Sequence, residues 1–184
     1  MLKFIFVIWT HYELDLSELL SLASNQFLDI FVKINFKMDT YKIILEAHSG
    51  IAYVALITLA IAVINSLIGI SAKNEFKPKD RRIALFALIA THIQFVFGLI
   101  LYFVSPNGMA ALKSGMKTVM GNAALRKLAV EHPLTNIIAI ALITIGWSLH
   151  KKADESKKFR KIAIFYSIGL LLLLLMIPWK TWIG

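Results

Sequence analysis

The chain has 184 residues, 58% of them hydrophobic, and a mean hydropathy of +0.71; soluble domains average about 45–50% apolar residues, so a bilayer is its natural solvent. The formal net charge of +9 does not point to nucleic acid, because the lysines and arginines gather in short loops between apolar runs, the pattern that sets membrane topology. The lack of cysteine excludes disulfides, thiolate metal sites and covalent c-type haem, and leaves histidine-held b-type haem open.

In chain order, residues 1–37 come first. They open like a signal peptide, with Lys3 before an apolar run, but His11, Glu13 and Asp15 interrupt the run and no small-residue cleavage site closes it. Met38 stands before "DTYKIIL" and is expected to be the true start, with residues 1–37 an uncertain extension. The competing expectation is an interfacial helix carrying Leu14, Leu16, Leu19, Leu20 and Leu22. Residues 38–184 form the transmembrane domain.

Four runs approach the roughly 20 apolar residues that span a bilayer. They cover about 51–70, 83–104, 134–149 and 162–177. The loops "SAKNEFKPKDRR" and "KKADESKKFRK" are strongly basic and are expected on the cytoplasmic side. The expected fold is all-α, an integral membrane four-helix bundle in a bacterial inner membrane with both ends outside. The outer loop, 105–133, repeats Met109, Leu112, Met116, Val119 and Met120 at helical spacing, broken by Gly115 and Gly121. One or two short amphipathic helices are expected there, with the methionines as flexible packing rather than a copper site.

A weak internal repeat aligns His48 with His132, and "RRIALFALI" with "RKIAIFYSI". It places both histidines at one depth, near the outer rim. From His48 a face of small residues runs through Ala52, Ala55, Ala62, Ser66 and Gly69, suited to close helix packing or to a flat cofactor. From His132 a face runs through Asn136, Ala139, Ile143, Gly146 and His150. His132 and His150 lie about 27 Å apart at 1.5 Å per residue, so they cannot share one iron, and His150 is expected to be an ordinary interfacial residue. His92, with Thr91 and Gln94, falls near the middle of the second span. Such a cluster needs internal partners, and Asn65, Ser66 and Thr144 are candidates. For a single haem, His48 with His132 is the geometric first choice. His92 then lines the deeper pocket, holds a quinone or assists proton movement. Glu46 and Glu131 are expected to orient the rings, and Lys117, Arg126 and Lys127 are candidates for haem propionates.

The segments "EAHSGIAYVAL", "THIQFVFGLILYFVSP", "EHPLTNIIAIALITIG" and "FYSIGLLLLLLMIPW" resemble the small four-helix membrane proteins labelled cytochrome b in Bacteroidetes. "HIQFVFGLILYF" is similar to one half of haem A synthase. In haem A synthase halves, however, glutamate stands three residues before a histidine followed by arginine; here Glu46 stands two before His48, and Ser49 follows. The resemblance implies haem b held by His48, His92 and His132. It also implies electron transfer or respiratory-complex assembly rather than stand-alone catalysis, with a quinone or a respiratory-chain protein as partner. Two other classes remain: a cofactor-free membrane scaffold or assembly factor, and a small transporter subunit.

Overall fold

The computed structural model describes residues 16–182 of the chain, and their regular structure is entirely helical. In order they are α1 (Leu16–Ser71), α2 (Pro78–Val104), α3 (Met109–Leu112), α4 (Met116–Gly121) and α5 (Ala123–Arg126). A π-helical turn (Lys127–Glu131) leads into α6 (His132–Lys152), followed by α7 (Glu155–Met176) and α8 (Trp179–Trp182). The chain divides into two compact units between Thr40 and Tyr41. The first unit is helical from Leu16 onward and exposes Phe27, Leu28, Ile30 and Val32. The signal-like opening and Leu14 lie outside the described residues.

Among the described residues four helical segments are long and apolar enough to cross a membrane: Thr40–Ser71, Pro78–Val104, Ala123–Lys152 and Glu155–Met176. Together they make an all-α membrane bundle. Each segment reaches beyond the run expected from hydropathy at one end or both. Helical hydrogen bonding does not stop where the hydrocarbon does, so α1 includes the polar turn around Glu46 and α6 runs out through Lys151 and Lys152. Phe86, Phe103, Ile57, Leu171 and Leu175 are exposed on the outside of the bundle, where lipid replaces water as solvent.

The core is built from Leu59, Ala62, Val63, Ala84, Ala87, Ile143, Trp147, Ile162 and Tyr166. α6 and α7 approach closest because glycines let them. A Cβ on Gly146 would lie 2.5 Å from Phe165 Cβ, and one on Gly169 would lie 2.6 Å from Ile143 Cγ1. Small residues at such crossings are the usual device of membrane helices, which gain little from hydrophobic burial against lipid. Tyr166 is fully buried, and its hydroxyl donates to the Ala84 carbonyl across the bundle at 3.0 Å. In the sequence repeat Ala84 matches Ala163 and Ala87 matches Tyr166. All four are buried, so equivalent positions of the two halves face the same core.

The two basic connections are tight. Asp80 is buried, accepts from the Lys77 backbone N–H at 2.8 Å, and accepts from Asn65 Nδ2 at 3.0 Å. It thereby caps α2 and ties that helix to α1. At the other end, the stretch between α2 and α6 folds into three short helices and the π turn rather than one or two. It packs on Ala111, Val119 and Ala129. Met109, Met116 and Met120 face outward.

Candidate functional site

Four helices meet around His48 and His132. His48 projects from α1 toward α2, where Gly98 leaves room for it. A Cβ at Gly98 would lie 3.1 Å from His48 Cε1. One turn earlier on α2, Gln94 Nε2 lies 3.2 Å from His48 Nδ1 and 3.3 Å from Nε2. His132 opens α6, with Pro133 in the first turn where its missing N–H costs nothing. Its Nδ1–H donates to the Met176 carbonyl at 3.1 Å. That carbonyl ends α7, where no intrahelical donor reaches it. With Nδ1 carrying the proton, Nε2 accepts from Asn136 Nδ2 at 2.9 Å. The π turn just before His132 is held from α2, whose Tyr102 hydroxyl donates to the Ala129 carbonyl at 3.2 Å. Single π turns inside helices concentrate at functional sites.

The structure therefore brings the two repeat-related histidines together. Their ring centroids lie 6.4 Å apart and the ring planes are inclined by 77°. Both rings are partly buried. Gln94 Oε1 and Asn136 Oδ1, on the amides that contact these two rings, are buried and accept no hydrogen bond. A buried acceptor without a donor costs about 1–3 kcal/mol, and here two of them sit on the amides that touch one histidine pair.

His92 does not join the pair. Its Nδ1–H donates to the Leu88 carbonyl at 2.7 Å, and Nε2 lies 3.3 Å from Thr144 Oγ1. Thr144 also reaches the Ile140 carbonyl at 2.7 Å. Thr144 is twelve residues beyond His132 on α6, or roughly 18 Å along the axis. Thr91 is buried and bonds back to Ala87 and Leu88 within α2. Of the candidate partners Asn65, Ser66 and Thr144, Thr144 reaches His92 and Asn65 binds Asp80, while Gln94, a member of the cluster, turns to His48.

The carboxylates do not orient the rings. Glu46 is exposed and lies 4.0 Å from Lys42 Nζ, and Glu131 binds Arg126 Nε at 2.8 Å. Residues one or two apart on a helix point in different directions, so neither glutamate can turn to the histidine beside it. The groups that meet the rings are Gln94, Asn136 and the Met176 carbonyl. Of the propionate candidates, Arg126 is engaged by Glu131 and by the Met120 carbonyl, 2.9 Å from Nη1. His150, expected to be an ordinary interfacial residue, is instead buried at the basic-loop end of the bundle. It is 2% exposed, packed against Trp147 and Phe76, with Nδ1 donating to the Trp147 carbonyl.

Among the described residues no group of three or more His, Cys, Asp or Glu could hold a metal ion, so the pair stands as a two-nitrogen donor set. Imidazole–metal bonds are about 2.0–2.1 Å, and the ring centre lies roughly 1 Å beyond the nitrogen, so two imidazoles sharing one metal sit about 6 Å apart. The observed separation meets that requirement. Each ring is capped by an amide N–H, the kind of donor a metal would displace. Comparison with known proteins returns no matching family model, no matching curated protein and no matching solved structure.

Proposed function

We propose that the chain is a b-type haem protein of the bacterial inner membrane, in which His48 and His132 would hold the haem and the basic loops are cytoplasmic. In this reading it passes electrons to or from a quinone or a respiratory-chain protein, or supports assembly of such a complex. The observation that carries the reading is the His48–His132 pair, 6.4 Å between ring centroids on two different helices. Bound there, haem b would supply one-electron redox chemistry. The Met176 carbonyl fixes the His132 tautomer so that Nε2 keeps its lone pair for a metal. Gly98 sets how far His48 advances. Gln94 and Asn136 cap the rings, and each carries a buried oxygen that accepts no hydrogen bond. His92 acts as a deeper polar tie between α2 and α6.

The test is a reduced-minus-oxidised spectrum of the protein purified in mild detergent after haem-sufficient expression. Soret and α bands are expected; their absence overturns the reading. A second reading, a cofactor-free scaffold, draws on another observation. Hydrogen bonds from Gln94, His92, His132, Asn65 and Tyr166 each join two different helices, and polar pairs of that kind hold membrane helices together without a cofactor.

A further inference from the structure

A second polar region lies at the opposite end of the bundle, where the two basic loops meet. A cavity of about 360 Å³ opens between the start of α2, the end of α6 and the start of α7. Four cations line it, Lys77, Arg81, Lys151 and Lys158, with a single carboxylate, Glu155. Glu155 is already paired with Lys158. The remaining excess of positive charge has no carboxylate inside the cavity to answer it. Of the acids beside these lining residues, Asp80 is buried and spent on the α2 cap and on Asn65, and Asp154 is paired with Lys157.

The cations are placed by aromatic faces. Arg81 Cζ lies 6.0 Å and Lys151 Nζ 5.0 Å from the Trp147 ring, and Lys158 Nζ lies 5.9 Å from the Phe76 ring. Such contacts hold a cation over a ring without neutralising it. His150 lines the same cavity while almost fully buried. Its Nδ1 is committed to the Trp147 carbonyl, which leaves Nε2 as the ring nitrogen free to meet a ligand. Two long helices, α2 and α7, also begin at this cavity, and helix N-termini favour anions.

We propose that this cavity is a binding site for the phosphate of an anionic phospholipid, a phosphatidylglycerol-type headgroup. Phosphate is the chemistry that matches several cations with a buried imidazole. A lipid is the source because the cavity lies at the ends of three membrane-length segments, where headgroups lie. Basic pockets between membrane helices are known headgroup sites. This site is independent of the histidine pair and stands whether or not that pair holds haem.

The test uses the full chain in a zwitterionic detergent. Its thermal unfolding is followed while short-chain phosphatidylglycerol, phosphatidylcholine or inorganic phosphate is titrated in, and co-purified lipid is read by native mass spectrometry. Saturable stabilisation by phosphatidylglycerol, and little by phosphatidylcholine, is expected. Arg81→Gln with Lys151→Gln should weaken it roughly thirtyfold, from the contribution of each cation near an anionic headgroup. The charge-keeping pair Arg81→Lys with Lys151→Arg should retain binding. Lys42→Gln with Lys113→Gln, which removes the same charge away from this cavity, should leave it unchanged. Equal stabilisation by phosphatidylcholine, or equal loss in the Lys42 and Lys113 variant, would overturn the site. A response to inorganic phosphate as strong as that to the lipid would overturn the lipid assignment. If the glutamine pair does not fold, failure of the wild-type chain to retain phosphatidylglycerol over phosphatidylcholine in the mass spectrum overturns the proposal on its own.

Discussion

Two histidine sites in the same bundle solve different problems. His92 lies deep in the bundle, with its Nδ1–H on the Leu88 carbonyl and its Nε2 3.3 Å from Thr144 Oγ1, whose single proton is shared with the Ile140 carbonyl. His48 and His132 lie nearer the other end, face each other, and are capped by amides whose oxygens are buried and unanswered. A polar residue kept only to join helices has no reason to leave its neighbours' acceptors without donors. In the proposed reading, that difference separates a histidine that ties two helices from a pair that would hold a cofactor nearer the end of the bundle than its centre.

The largest expected effect falls on the pair. His132→Ala should reduce haem per purified chain to near zero, measured by pyridine haemochrome; haem content at the wild-type level would erase the contrast between the two sites. Gly98→Leu is next. It leaves both ligands in place but fills the space His48 uses. Haem affinity should fall by about 10–100-fold, the range seen when groups that orient metal ligands are changed, and an unchanged affinity would mean that His48 does not depend on that approach.

The deeper site should respond in the opposite way. Thr144→Val removes the α2–α6 tie and should lower stability by about 0.6–1.7 kcal/mol, the span measured for hydrogen bonds between membrane helices, with the haem spectrum unchanged. A shifted or lost Soret band in that variant would make His92 part of the centre. Gln94→Leu in haem-free protein removes one bond to His48 and also one unanswered buried oxygen. The two changes oppose each other, so the melting transition should move by less than about 1 kcal/mol; a large loss would show that Gln94 is chiefly structural. The smallest effect belongs to Glu46→Gln. Its exposed pair with Lys42 is worth about 0.3–0.5 kcal/mol, and neither stability nor haem content should change measurably beyond that.

Much of this was legible in the sequence. Hydropathy marks four spans, and the basic loops mark the turns between them. The repeat aligns His48 with His132, which the fold then brings into a nearly perpendicular ring pair. What the sequence concealed has common causes. Span ends were drawn short because the helix continues through polar residues such as Glu46 and Lys151, which hydropathy discounts. Glu46 and Glu131 looked like partners for the histidines beside them, but helical geometry turns neighbours apart. The Met176 carbonyl carries no side-chain signature, so its bond to His132 could not be read from residue types. Gly98 stands in an apolar run with no motif around it, and only the position of His48 gives it a role. His150 beside two lysines read as interfacial, yet Phe76 comes back from the other basic loop to cover it.

The most direct test of the central claim compares the reduced-minus-oxidised spectra of four chains: the wild type and the single variants His48→Ala, His132→Ala and His92→Ala. Soret and α bands are predicted in the wild type and in His92→Ala, and their loss in each of the other two. A wild-type chain without bands, or bands lost only in His92→Ala, would contradict the assignment of His48 and His132 as the ligand pair.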